Sequence, residues 1–484
     1  MSFRRGTVYH FDDKTDTGIS EIPVGRIIIV QDFDGETRSF IYVDNTGITT
    51  STTIEEAFLG NNLSVASRIP TKQGIGIPGY KGFGVGYTNN YGPYLTPMSG
   101  CEDVESDNYG NFTTSNGSVF VYIPKFYFKW DGNTLSISDN DEGGTYALHR
   151  AFINAGVEKD GFFISKYQAG NESGDLVFKQ GLDPVSTDSS HNPIANLSNV
   201  TENIYASAIK APKSLGSDFH CVSIFQLNAL ALIAYAAGKA GTNCAFADSS
   251  PLLPKGNNND ALGDVDDGTV SFTGSGYDNC ANTGSGSPFA KTTHNGQNCG
   301  VPDVNGNMND IAIGLTRAGT SSTDTGESGD NTDFYILKES FDIASLTMDW
   351  TSGDSPTDSA YGDSAYLSGA NSPYDNVTFS GVTTDNNWVY LGNGSNQVFD
   401  YSTDRNSADY KQSACGLGSS NGHSASGTTE FGNDGQYHDN KNNLQPLVSG
   451  HWNHSGGAGV FYVPLSDHRT YSNHGVGFRA SLYS

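Results

Sequence analysis

The side chains with the most chemical potential crowd into residues 450–483. His451, Asn453, His454, Ser455, Ser466, Asp467, His468, Thr470, Tyr471, Ser472, Asn473 and His474 are set among Gly450, Trp452, Gly459, Val460, Val463, Leu465, Val476, Gly477, Phe478 and Arg479. Four of the 11 histidines of the chain fall in this stretch, far above random placement. The first set consists of short amides, hydroxyls and imidazoles with one tyrosine. Small adaptable polar groups with a few rigid aromatic anchors are what loops use to grip another molecule. The second set is mostly glycine and apolar residues and reads as framework. The pattern predicts a ligand-binding face rather than a catalytic centre, and a solvated terminal loop or a subunit contact is the alternative use.

Other chemistries are weaker. Neutral imidazoles bind zinc, and His451, His454, His468 and His474 could converge, but no H-E-x-x-H or H-x-H spacing supports it. Asp303, Asn305, Asn307 and Asp310 offer oxygens at near-alternate positions with Gly306 for a turn, which suits a hard cation such as Ca2+. The run is too short for an EF-hand and lacks its terminal Glu, so Asx-turn hydrogen bonding competes with calcium there. The six cysteines include no C-x-x-C pair, which argues against a thiolate metal site. Cys244, Cys280 and Cys299 share a loop-rich region where a disulfide could form, and buried free thiols are the other reading. Acidic residues are too widespread for a glycosidase pair to stand out.

These side chains need a scaffold, and the composition says which kind. The chain has 484 residues, enough for two or three domains and a large core. Its 59 glycines and 16% charged residues, poor in Lys and Glu, disfavour long helices. The 25 Tyr and 26 Phe supply core, so the chain is not disordered. Short apolar runs between Gly, Asn and Asp turns predict a mostly β protein with few helices (α+β) and long loops. A formal net charge of −27 repels phosphate backbones and anionic lipid, so no nucleic-acid partner is expected. The longest apolar run, 229–237, is too short to span a bilayer, and the opening residues lack a secretory apolar stretch. Membrane insertion and ordinary export are therefore not expected.

Residues 1–65 read as a small β module, with strands near 26–30 and 39–43 around an Asp34-Gly35 turn and a short helix opened by Thr53 and Glu56. Residues 66–484 read as one large domain with polar loop insertions at about 256–293 and 318–440. In it, 118–130 gives two β runs broken at Pro124, and 161–167 gives another. Residues 334–337 and 388–391 are further short strands. The convincing helix is 223–237, with Ser223 as N-cap, Gln226 completing a capping box and Gly238 ending it.

Several segments in this order resemble phage tail-fibre and receptor-binding proteins whose domain is C-type-lectin-like (formylglycine-generating-enzyme-like), similar to retroelement-diversified variable proteins. They are residues 82–86, 107–111, 117–127 and 219–225 running into the helix, then 303–307, Gly450-His451-Trp452 and Gly477-Phe478-Arg479. Together they cover most of residues 75–484. The resemblance implies that Trp452, Gly477, Phe478 and Arg479 are framework and that the residues between them face outward. It implies a virion tail adhesin, made in the host cytoplasm, that binds a host surface protein or glycan. The N-terminal module would join other tail proteins and assist a homotrimer. The chain departs from the family in having Met308-Asn309-Asp310 and Phe225-Gln226 where Trp-Glu is frequent. The oxidase activity of the related enzymes needs a pair of cysteines near the C-terminus, and none follows Cys415. No enzyme is expected; a tail-associated polysaccharide-degrading enzyme or a structural virion protein are the alternatives.

Overall fold

The computed structural model describes residues 74–246, 252–257, 280–317, 333–346, 372–382, 387–392, 397–439, 444–454 and 458–484, with the backbone of four further strands. The chain divides into two compact units, Met1–Lys72 and Gln73–Ser484. In the first, β1 (Ile27–Val30), β2 (Ser39–Asp44) and β3 (Gly47–Ser51) form an antiparallel meander in which Ile28 faces Ile41 and Val43 faces Ile48. The Asp34-Gly35 turn and the helix expected from Thr53 lie outside the described residues.

The second unit is mostly β, with three α-helices and several small sheets among the described residues. In chain order the elements that position the candidate site are β4 (Thr96–Pro97), β5 (Asn111–Thr113), β6 (Val119–Pro124), β7 (Gly161–Ser165), α1 (Tyr205–Lys210), β8 (His220–Cys221), α2 (Ile224–Ala240), β9 (Asn309–Ile311), α3 (Ala408–Ala414), β10 (Leu447–Val448), β11 (Val476–Phe478) and β12 (Ala480–Tyr483). The largest sheet is antiparallel, in the order β8-β12-β7-β6-β5-β4. Pro124 ends β6 opposite Gly161, where its missing N–H terminates the ladder. The central strands β6 and β7 are almost wholly buried, so they read as apolar runs rather than alternating ones. Phe163 meets Phe112 edge-on at 5.0 Å, Phe120 meets Phe178 at 5.7 Å, and Phe162 meets Phe152 at 5.5 Å. Each buried aromatic of this kind stabilises by roughly 1.5–3 kcal/mol.

A second sheet has the order β10-β9-β11, with β9 antiparallel to β10 and parallel to β11. The chain leaves β11 at Phe478 and enters β12 at Ala480, so Arg479 is the single residue between these strands of two different sheets.

Helix α2 begins with a full capping box: Ser223 Oγ accepts from Gln226 N, and Gln226 Oε1 accepts from Ser223 N at 3.0 Å. The expected stop at Gly238 is corrected. The helix runs on to Ala240 and is capped by Gly241 at φ +67°, a left-handed conformation that glycine adopts without strain. Gly238 is an interior residue packed against Leu252, where a Cβ would stand 3.1 Å from Leu252 Cγ. Every residue from Ile224 to Gly238 is buried, so α2 is enclosed by the core rather than laid on it by one face. Its polar members donate inside the core: Gln226 to Ser481 Oγ at 2.8 Å and Asn228 to the Ser413 carbonyl at 2.8 Å.

All six cysteines are free thiols, which settles the open disulfide at Cys244, Cys280 and Cys299. Among the described residues no helix is long and apolar enough to cross a membrane.

Candidate ligand-binding face

The floor of the C-terminal segment is its apolar and basic minority. Trp452 (2% exposed), Gly477, Phe478 and Arg479 are all buried. Phe478 meets Phe178 edge-on at 6.2 Å. Arg479 donates from Nε to Asp310 Oδ2 at 2.8 Å, from Nη1 to the Lys166 carbonyl at 2.9 Å, and from Nη2 to the Pro302 carbonyl at 2.7 Å. Burial raises the Asp310 carboxyl above its ordinary range, and the guanidinium opposes that rise.

Residues 303–310, where a calcium loop competed with Asx turns, are tied into the protein. Asp303 Oδ2 accepts from Gly284 N at 2.7 Å, and Asn305 Nδ2 donates to the Pro254 carbonyl at 2.8 Å. Asn307 accepts from Ala281 N at 2.7 Å and donates to Gln168 Oε1 at 3.1 Å. Asp303 and Asn307 have φ of +57° and +74°, which short polar side chains tolerate in turns. These bonds spread the four side chains over different neighbours, and the segment braces the loops beneath the C-terminal strands.

Above that floor the polar residues divide. Asn453 and Ser472 are exposed; His454, Ser466, Asp467, His468, Thr470, Tyr471, Asn473 and His474 are half-buried; Ser455 lies outside the described residues. His451 is the correction: expected on the outside, it is 8% exposed. Its ring fills the gap over Gly475, where a Cβ would sit 2.6 Å from His451 Cγ, and lies 3.8 Å from the His454 ring. Its Nδ1 accepts from Asn453 N at 3.2 Å, so it shapes the loop from below. Burial holds His451 down to about 2 and His454 down to about 4, which keeps both imidazoles neutral at physiological pH.

The rim is internally bonded. Asn473 donates to Tyr471 Oη at 2.8 Å and accepts from Gly475 N at 2.7 Å, and Thr470 bonds His468 Nδ1. It is also sewn to a loop that sequence reading missed. Thr187 Oγ1 accepts from Asn473 N at 2.9 Å and donates to the Asn473 carbonyl at 3.1 Å; Thr187 N reaches the Val476 carbonyl at 2.9 Å, and Ser472 Oγ donates to the Thr187 carbonyl. The same loop carries Asp188 and His191, with the His191 ring 5.3 Å from that of His474. The Trp452 ring also stacks on His474, at 5.0 Å and 20°.

A second missed feature is an aromatic shelf. Trp388, 37% exposed, lies 5.1 Å from Tyr437 and 5.9 Å from Tyr462, and Tyr462 lies 4.9 Å from His454. The short apolar run 388–391 reads as a strand and so was a signal for Trp388, but nothing in the sequence linked it to the terminal loop.

The arrangement can present amides, hydroxyls and imidazoles to a ligand on a rigid base. Comparison with protein-family models and with curated protein sequences finds no match to this chain.

Proposed function

We propose that the chain is a receptor-binding protein of a phage tail, with a C-type-lectin-like domain that meets a host surface protein or glycan through the 451–474 face. The observation that carries this reading is the division of the C-terminal segment. Trp452, Phe478 and Arg479 hold it from within, while Asn453, Ser472 and eight half-buried polar residues stand at the rim. An exposed side chain such as that of Asn453 carries little of the fold's stability and can be exchanged on this base, which suits a recognition surface. The separate Met1–Lys72 unit suits attachment to other tail proteins, and copies joined as a homotrimer would gain avidity without tight single sites.

The purified full chain should bind cells of the susceptible host and block phage adsorption. Asn453→Arg combined with Ser466→Arg should abolish the block while leaving the melting temperature unchanged. Undiminished competition by that variant would remove the face from the function. Release of soluble saccharide from host capsule by the full chain would favour the polysaccharide-degrading alternative.

A further inference from the structure

We propose that Asp188, His191 and His474 form a binding site for a zinc-class divalent cation that clasps the 186–192 loop to the terminal segment.

Among the described residues this is the group of His, Cys, Asp and Glu side chains gathered tightly enough to hold a metal, with one ligand atom from each lying within 4.8 Å of the others. It differs from the set the sequence suggested, since only His474 is shared. Two imidazoles and one carboxylate form a borderline-soft donor set, which suits Zn2+ and Co2+ over Ca2+ or Mg2+. Three protein ligands leave a fourth position open to water or to a ligand atom.

The donors are positioned before any ion arrives. Thr187, beside Asp188, and Asn473, beside His474, exchange two hydrogen bonds across 286 positions of sequence. That fixes the separation of the two donor-bearing segments. Asp188 Oδ1 accepts from both Ser190 N and Ser190 Oγ at 2.7 Å, which orients the carboxylate, and the Asp188 carbonyl accepts from His191 N at 3.2 Å to close the turn. Trp452, stacked on His474, sets the plane of that imidazole. Partners that orient a ligand without touching the metal are what separate a built site from a chance meeting of side chains.

The site stands whether or not the face binds a receptor, and its test needs no host. The full chain, stripped with a chelator, is titrated with Zn2+ by calorimetry and with Co2+ by visible absorption. One equivalent is expected, with intense d–d bands for a low-coordinate Co2+ site and a rise in melting temperature on adding Zn2+. His191→Ala and Asp188→Asn should each weaken binding at least tenfold, as should His474→Ala. Asp188→Asn keeps an acceptor for Ser190, and His191→Ala leaves the Trp452 stack intact, so both should fold as the parent does if His474→Ala does not. Absence of a saturable equivalent in the parent chain, or binding that survives His191→Ala and Asp188→Asn unchanged, overturns the proposal.

Discussion

Replacing Arg479 by Met removes the buried guanidinium from the single residue between β11 and β12. Its guanidinium bonds Asp310 and the carbonyls of Ser165, Lys166, Pro302 and Asp303, and both members of the ion pair are fully buried. Methionine fills similar volume but returns none of these bonds. Asp310 is left as a buried carboxylate without its cation, and breaking such a pair costs about 3–5 kcal/mol. The orphaned carbonyls add to that, since an unsatisfied buried acceptor costs roughly 1–3 kcal/mol, though losses within one network do not sum. A loss of about 4 kcal/mol or more is expected. Arg479→Lys should lose less, because an ammonium keeps the charge but cannot span the forked acceptors. Asp310→Leu placed on top of Arg479→Met should recover part of the loss, with a coupling of about 2 kcal/mol, because the uncompensated charge is then gone. Urea unfolding followed by both tryptophan fluorescence and circular dichroism measures this, and the midpoints are read as free energies only where the two probes coincide. An Arg479→Met chain within about 1 kcal/mol of the parent, or a double variant as unstable as the two single losses combined, would refute the reasoning.

Trp452→Ala should cost about 3–5 kcal/mol, seen as a lower melting temperature, because the ring is 2% exposed and supports His474. Gly475→Ala should destabilise by roughly 1–3 kcal/mol, since the new methyl would lie 2.6 Å from the His451 ring; an unchanged melting temperature would show that the ring yields freely. Acid should unfold the protein from about pH 6.5 downward. Burial holds His149 and His438 near 3 and His220 and His294 near 4, below their unfolded value of 6.5. The unfolded chain therefore takes up these protons first, so the stability is complete above 6.5 and is lost as pH falls towards the folded values. Each group contributes about 1.4 kcal/mol per pH unit in that window, and a melting temperature that stays level from pH 6.5 to 5 would contradict it.

Much of the scaffold was legible because its signals are local. Ser223 and Gln226 announce the start of α2, and Pro124 marks where β6 stops. The other end of α2 misled because glycine serves two ends: Gly238 allows close packing on Leu252, while Gly241 makes the left-handed turn. The framework of the terminal segment was readable because Trp452, Phe478 and Arg479 are too large or too charged to sit idle among short polar residues. The layout of the face was less so. Histidine serves equally as rim and as filling, and only the void above Gly475 decides that His451 goes inward. Residues 303–310 carry oxygens at a spacing that suits both a cation and Asx turns, and the hydrogen-bond partners lie in loops far away in sequence. Asp188 and His191 could not be joined to His474, since nothing local records a pairing across 286 positions.

The place of β12 inside the largest sheet governs the order in which the protein can be made. Ser481 donates to the Phe163 carbonyl across 318 positions, and β12 lies between β7 and β8 rather than at a margin. While the ribosome is still adding the intervening residues, β7 and β8 present open edges with no strand to fill the gap. Nascent chains stalled between Cys221 and Ala480 would keep that groove, so they should be sticky and short-lived. Display of an ordered 451–474 face thus depends on translation having passed β12.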